Sequence, residues 1–224
     1  MAARRVGIAA GRDYGADMGV WRNWQRPEVV LFDMDGTLTR PALNFEHIRR
    51  DMGIAQGQPI LEAMAQMDTA SLAHAEAVLL KHERDAAASA ELNEGCHDVL
   101  ELLRVAGVKT GLVTRNSMES TRTVLGAHGL DFASVVTRED EPYKPRPEPL
   151  FLALHRLGVS CSRERVWMVG DGEHDIQAGL AAGVRTVWLS HGGERRFDAL
   201  PCLEVRDLVE LHGVFREALA GASD

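Results

Sequence analysis

Two carboxylates one residue apart, Asp33 and Asp35 in Asp33-Met34-Asp35-Gly36-Thr37, directly follow the apolar run Val29-Val30-Leu31-Phe32. That run predicts a buried strand. Side chains alternate along a strand, so the two acids share a side only while the chain stays extended, and Gly36 predicts that it turns instead. Acids at the carboxyl end of a parallel strand stand where ligands bind in open α/β sheets, which points to an enzyme. Two carboxylates about 4 Å apart, at an effective dielectric of about 20, repel by ~4 kcal/mol. A divalent cation offsets that repulsion, and so does protonation of one acid, which would ready it to donate a proton. An Asp-Gly turn closed by an Asx hydrogen bond accounts for the same residues without any chemistry. The rest of the chain favours the first account.

Three further groups follow apolar runs. Thr114, with Arg115 and Asn116, ends the run Lys109 to Val113 and precedes a helical pattern, so its hydroxyl and the nearby backbone N–H groups suit an anion. Asn116 or Ser117 read alone is equally a helix cap. Lys144 lies in Pro142-Tyr143-Lys144-Pro145-Arg146-Pro147, where prolines stiffen the backbone and can aim one cation inward; a surface lysine is the plainer alternative. Gly170-Asp171-Gly172-Glu173-His174-Asp175 follows Val166 to Val169 and opens a helix, placing Asp171 to reach a metal and Asp175 to brace it. Carboxylates without a Cys or His cluster suit Mg²⁺, which takes hard oxygen donors. His174 reads as a helix-start residue rather than a ligand.

These groups need a scaffold that brings strand ends together. Strand signals fall at Val29 to Phe32, Lys109 to Val113, Ser134 to Val136, Arg165 to Val169 and Arg185 to Leu189. Helical patterns at Gly95 to Val105, Ser117 to Ala127, Glu148 to Leu157 and Glu173 to Ala181 alternate with them. The alternation predicts an α/β fold, a doubly wound parallel sheet with helices on both faces. Gly107, Gly129, Gly158 and Gly183 fall where left-handed helix stops are expected. From about Pro41 to Leu92 the pattern is helical only, with Pro59 opening one helix and Thr69 or Ser71 capping another that runs to about Ala88. Such an insertion lies over the end of the first strand as a lid. Met64 and Met67 read as packing.

The 224 residues are 45% hydrophobic and 26% charged, ordinary for a soluble globular chain. A net charge of −8 argues against nucleic acid or an anionic membrane as partner, and an anionic substrate would need local positive charge. No apolar run reaches the roughly 20 residues of a membrane span. Cys96, Cys161 and Cys202 suggest neither a disulfide framework nor a zinc cluster, so a reducing, cytoplasmic setting is expected. The first 26 residues are rich in arginine but contain Asp13 and Asp17 and no serine, which speaks against an organellar transit peptide. Trp21 and Trp24 are expected to pack on the core. Nothing in the pattern fixes an oligomeric state.

Taken in order, Asp33 to Thr37, Thr114, Lys144 and Gly170 to Asp175 resemble the four motifs of the haloacid dehalogenase-like hydrolase superfamily, over nearly all of Val29 to Leu189. The insertion resembles the small cap of phosphoglycolate-phosphatase-like members. The resemblance implies a Rossmann-like core, Mg²⁺, and hydrolysis of a small phosphorylated metabolite through an aspartyl-phosphate. It implies Asp33 as nucleophile and Asp35 as general acid/base with its backbone carbonyl on the metal. Thr114 and Lys144 would hold the phosphoryl group, and Asp171 would ligate Mg²⁺ with support from Asp175. Arg115 intervenes before Asn116, where many phosphoglycolate-phosphatase-like members place Asn directly after Thr, and either side chain would meet the substrate. The expected organisation is an extension at 1–26, a catalytic core at 27–40 and 93–224, and a helical cap at 41–92. A phosphoglucomutase-like phosphotransferase is the alternative, against which Thr37 stands, since those enzymes often carry Val there. A dehalogenase would lack the second acid. A non-enzymatic phosphometabolite-binding or regulatory protein would be marked by loss of an acid, and all are present.

Overall fold

The computed structural model describes residues 26–220, so the expectation for Trp21 and Trp24 lies outside the described residues. Strands β1 (Val29–Phe32), β2 (Lys109–Val113), β3 (Ser134–Val136), β4 (Val166–Gly170), β5 (Arg185–Leu189) and β6 (Leu203–Val205) form one sheet in the order β3-β2-β1-β4-β5-β6. Every pairing is parallel; Val29 aligns with Lys109 on one side and Val166 on the other. The order reverses at β1, and a crevice opens at such a switch point beyond the strand ends.

Alternation along β1 divides its side chains between two cores. Val30 and Phe32 pack with Val99 and Leu103 of α4 (Cys96–Val105), Val124 of α5 (Met118–His128) and Phe215 of α8 (Leu208–Ala220). Val29 and Leu31 pack with Leu150 and Ala153 of α6 (Glu148–Arg156) and Ala178 and Ala182 of α7 (Glu173–Ala182). Burial on both faces explains why β1 and β4 read as unbroken apolar runs. Each buried Val, Leu or Phe side chain among them contributes about 1.5–3 kcal/mol.

Between β1 and α4 the chain forms α1 (Phe45–Met52), α2 (Ile60–Met64) and α3 (Thr69–Ala88), which close on their own cluster of Ile48, Met52, Ile60, Met64, Ala75 and Leu79. Outbound and returning segments pair beside the sheet: Thr39 bridges Leu92 in antiparallel sense, Arg40 N–H donates to Glu91 O at 2.8 Å and Asn93 N–H to Leu38 O at 2.9 Å.

Several boundaries differ from the sequence reading. Asp68, rather than Thr69 or Ser71, caps α3, because its carboxylate accepts from Ala70 N and Ser71 N at 3.0 Å and sets a negative charge at the positive helix end. Arg165 ends a short 3₁₀ turn, and β4 begins one residue later. Strand β6 and helix α8 are not predicted from the sequence.

Candidate active site

All eight residues singled out by the sequence, Asp33, Asp35, Thr114, Arg115, Asn116, Lys144, Asp171 and Asp175, line one cavity of about 310 Å³. Asp33 continues β1 by one residue, its N–H donating to Val169 O at 2.9 Å, while Thr114 N–H donates to Val136 O at 2.9 Å. The sheet therefore presents Asp33, Thr114 and Asp171 from the ends of β1, β2 and β4. Past Asp33 the chain folds over: the amides of Thr37, Leu38 and Thr39 converge on Met34 O. Gly36 turns at φ +78°, and a Cβ there would lie 2.1 Å from Asp171 Oδ2, so only glycine admits this approach.

The turn separates the two leading acids. Asp33 Oδ1 accepts from Lys144 Nζ at 2.6 Å, and the same ammonium donates to Asp175 Oδ1 at 2.6 Å. Asp35 faces other partners: Oδ1 accepts from Thr39 Oγ1 at 3.3 Å and Oδ2 from Asn116 Nδ2. Asp175 Oδ2 accepts from Gly172 N–H at 3.1 Å, which fixes it in the first turn of α7. Thr114 Oγ1 accepts from Asn116 N–H at 3.2 Å, and Ser117 caps α5.

Lys144 is 2% exposed; burial alone would depress its pKa, but Asp175 and Asp33 together hold it above the ordinary value. Burial raises Asp33 well above the usual carboxylate range against the pull of Lys144, with Asp175 and Asp171 adding repulsion. Burial, then Asp175, pushes Asp171 up to about 7. Burial also raises Asp35, against its hydrogen bonds from Asn116 and Thr39. One buried ammonium thus pairs with two of three crowded carboxylates, and the cluster is short of positive charge. One oxygen from each of Asp33, Asp171 and Asp175 lies within 4.8 Å of the others, an all-oxygen donor set that fits Mg²⁺.

Residues 27–183 match the haloacid dehalogenase-like hydrolase family, most of the chain and every residue just described. The chain belongs to that family. This haloacid dehalogenase-like hydrolase is 32% identical over 210 residues to pyrophosphatase PpaX of Halalkalibacterium halodurans, covering 83% of the chain and 97% of the relative. It is 30% identical over 190 residues to the N-acetylmuramic acid 6-phosphate phosphatase of Pseudomonas putida, covering 75% and 84%. A HAD phosphatase from Thermococcus onnurineus superposes with a TM-score of 0.60 at 24% identity, covering 84% of the chain and 97% of that protein, a likeness of fold. The family and these relatives make the chain a phosphatase of this hydrolase family.

Other residues of this hydrolase support the site without having been singled out beforehand. Trp188 Nε1–H donates to Asp171 O at 2.8 Å, and His191 Nε2–H donates to Gly36 O at 2.6 Å from a backbone at φ +49°. Asn93 Nδ2 donates to Thr37 O and Thr39 O at 2.9 and 3.0 Å, tying the returning segment to the turn over Asp35. Glu83 of α3 is 2% exposed, accepts from Ser117 N–H at 3.2 Å and pairs with Arg138. A signal for Glu83 was present: it falls on the four-residue stripe Ala75, Leu79, Glu83, Ala87 that α3 buries. Glu62 of α2, half-buried, holds Arg115, and a lone acid in a five-residue helix gave no signal.

Proposed function

We propose that the chain is a Mg²⁺-dependent phosphatase that hydrolyses a small phosphomonoester through an aspartyl-phosphate on Asp33. The observation that carries this reading is the buried Lys144 ammonium shared between Asp33 and Asp175, with Asp35 held apart from it by Thr39 and Asn116. Two acids with different environments are equipped for different tasks. Mg²⁺ held by Asp33, Asp171 and the Asp35 carbonyl, with Asp175 in support, would screen the charge of the phosphate.

Asp33 attacks phosphorus in line, an oxygen–phosphorus bond forms and the ester oxygen–phosphorus bond breaks. Asp35, whose pKa burial raises, gives a proton to the departing alkoxide. As a carboxylate it then takes a proton from water, the water oxygen attacks phosphorus, and inorganic phosphate leaves with Asp33 restored. Thr114 and Lys144 hold the phosphoryl oxygens. Residues 41–92 form a cap over a core of 27–40 and 93–224, with 1–26 an extension outside the chemistry. Among the described residues no helix is long and apolar enough to cross a membrane, in keeping with a cytoplasmic enzyme of small metabolites. Borohydride reduction during turnover tests the reading: it should convert Asp33 to homoserine. Phosphate release with Asp33 left unlabelled and replaceable by Asn would overturn it.

A further inference from the structure

Arg115 stands next to Thr114 and lines the cavity, but it belongs electrically to the inserted helices. Its Nη2 donates to both carboxylate oxygens of Glu62 on α2 at 2.9 Å, and its guanidinium carbon lies 5.0 Å from the centre of the Tyr143 ring. These contacts fix the guanidinium plane. Its Nη1 is buried and has no hydrogen-bond partner. A buried donor left unpaired is destabilising, a cost that an acceptor brought in by a ligand removes. Around it the insertion supplies Leu43, Phe45, Pro59, Ile60, Leu61 and Leu79, an apolar wall.

The cations of this chamber are already engaged. Lys144 serves Asp33 and Asp175, Arg115 is neutralised by Glu62, and the lining acid Glu83 is paired with Arg138. Arg49 shares the wall through a hydrogen bond to Gln58 O in an exposed setting, where solvent weakens its charge. We infer that Arg115 and Glu62 together select the leaving group: a neutral alcohol with an apolar face and an oxygen that accepts from Arg115 Nη1, in preference to an anion. Glu62 sets the sign of that preference by cancelling the guanidinium charge. The inference rests on the phosphatase reading above and names the substrate class of the same site.

Three probes separate the possibilities with Mg²⁺ present: a hexose 6-phosphate, whose leaving group is neutral and oxygen-rich; phenyl phosphate, which offers Arg115 no acceptor on its ring; and inorganic pyrophosphate, whose leaving group is anionic. Arg115→Met should lower the ratio of kcat/KM for the hexose ester over the phenyl ester by roughly tenfold or more, since hydrogen bonds to charged groups carry that much. A purely structural role would depress both esters and leave the ratio unmoved. Glu62→Gln should raise the ratio of pyrophosphate over hexose ester several-fold by uncovering the charge of Arg115, and it decides alone if Arg115→Met does not fold. An unchanged ratio in either folded variant overturns the assignment while the phosphatase reading stands. No phosphate release from any probe by the unaltered protein overturns both.

Discussion

A methyl group at position 36 would have to occupy the space of Asp171 Oδ2 and hold φ at +78°. Gly36→Ala should therefore push the Asp33-to-Thr37 turn and the Asp171 carboxylate apart. A displacement of about 1 Å costs on the order of 100-fold in rate, which phosphate-release kinetics on a well-folded variant would read. Asp33→Asn should abolish borohydride labelling and turnover together. Asp35→Asn leaves Asp33 and Lys144 in contact but removes the proton donor. Its loss should be about 100-fold or more on an alkyl phosphate and distinctly smaller on an aryl phosphate, whose leaving group departs without protonation. Equal losses on both, with chemistry rate-limiting, would remove Asp35 from the acid/base role.

Elements supply what these residues cannot supply for themselves. Strand β5 reaches across to the β4 terminus through Trp188, whose indole N–H holds the Asp171 carbonyl. Trp188→Phe keeps the ring and deletes that bond, so Mg²⁺ affinity should fall roughly tenfold in a calorimetric titration, the usual cost of losing support behind a ligand. Helix α3 is fastened to the core through Glu83. Glu83→Ala leaves Arg138 without its carboxylate and should cost about 3 kcal/mol in urea unfolding, with Glu83→Gln costing less because it still accepts from Ser117 N–H. The elements themselves were largely legible: β1, β2, β3 and β5 lie where apolar or β-branched runs placed them, β1 most plainly because a strand buried on both faces cannot alternate with polar residues. Strand β6 escaped because Glu204 interrupts its three residues, Leu203–Val205, whereas the equally short β3 carries two adjacent valines. The acids and the lysine were legible as types after strands. Their partners were not: Glu62 and Arg115 lie 53 residues apart, and His191 and Gly36 lie 155 apart, distances over which only the folded sheet makes neighbours.

For the molecule as a whole, three crowded carboxylates around one ammonium mean that folding concentrates negative charge in a chain whose net charge is already −8. An ion that binds only the folded state stabilises it by mass action. At about 100 times its dissociation constant Mg²⁺ should contribute ~2.7 kcal/mol, a rise of several degrees in Tm at this size. Thermal melts with Mg²⁺ against chelator should show that rise, and Asp171→Asn should reduce it; a melt indifferent to Mg²⁺ would argue against the ion. The paired segments Leu38 to Arg40 and Glu91 to Asn93 leave the sheet and come back side by side, about 5 Å apart as antiparallel neighbours are. To the sheet, everything beyond that pairing is a loop already closed, whether it holds three helices or a tight turn. A chain of this build can therefore lengthen, shorten or exchange the looped segment without rethreading a single strand, so length gained or lost there leaves the order of the sheet untouched.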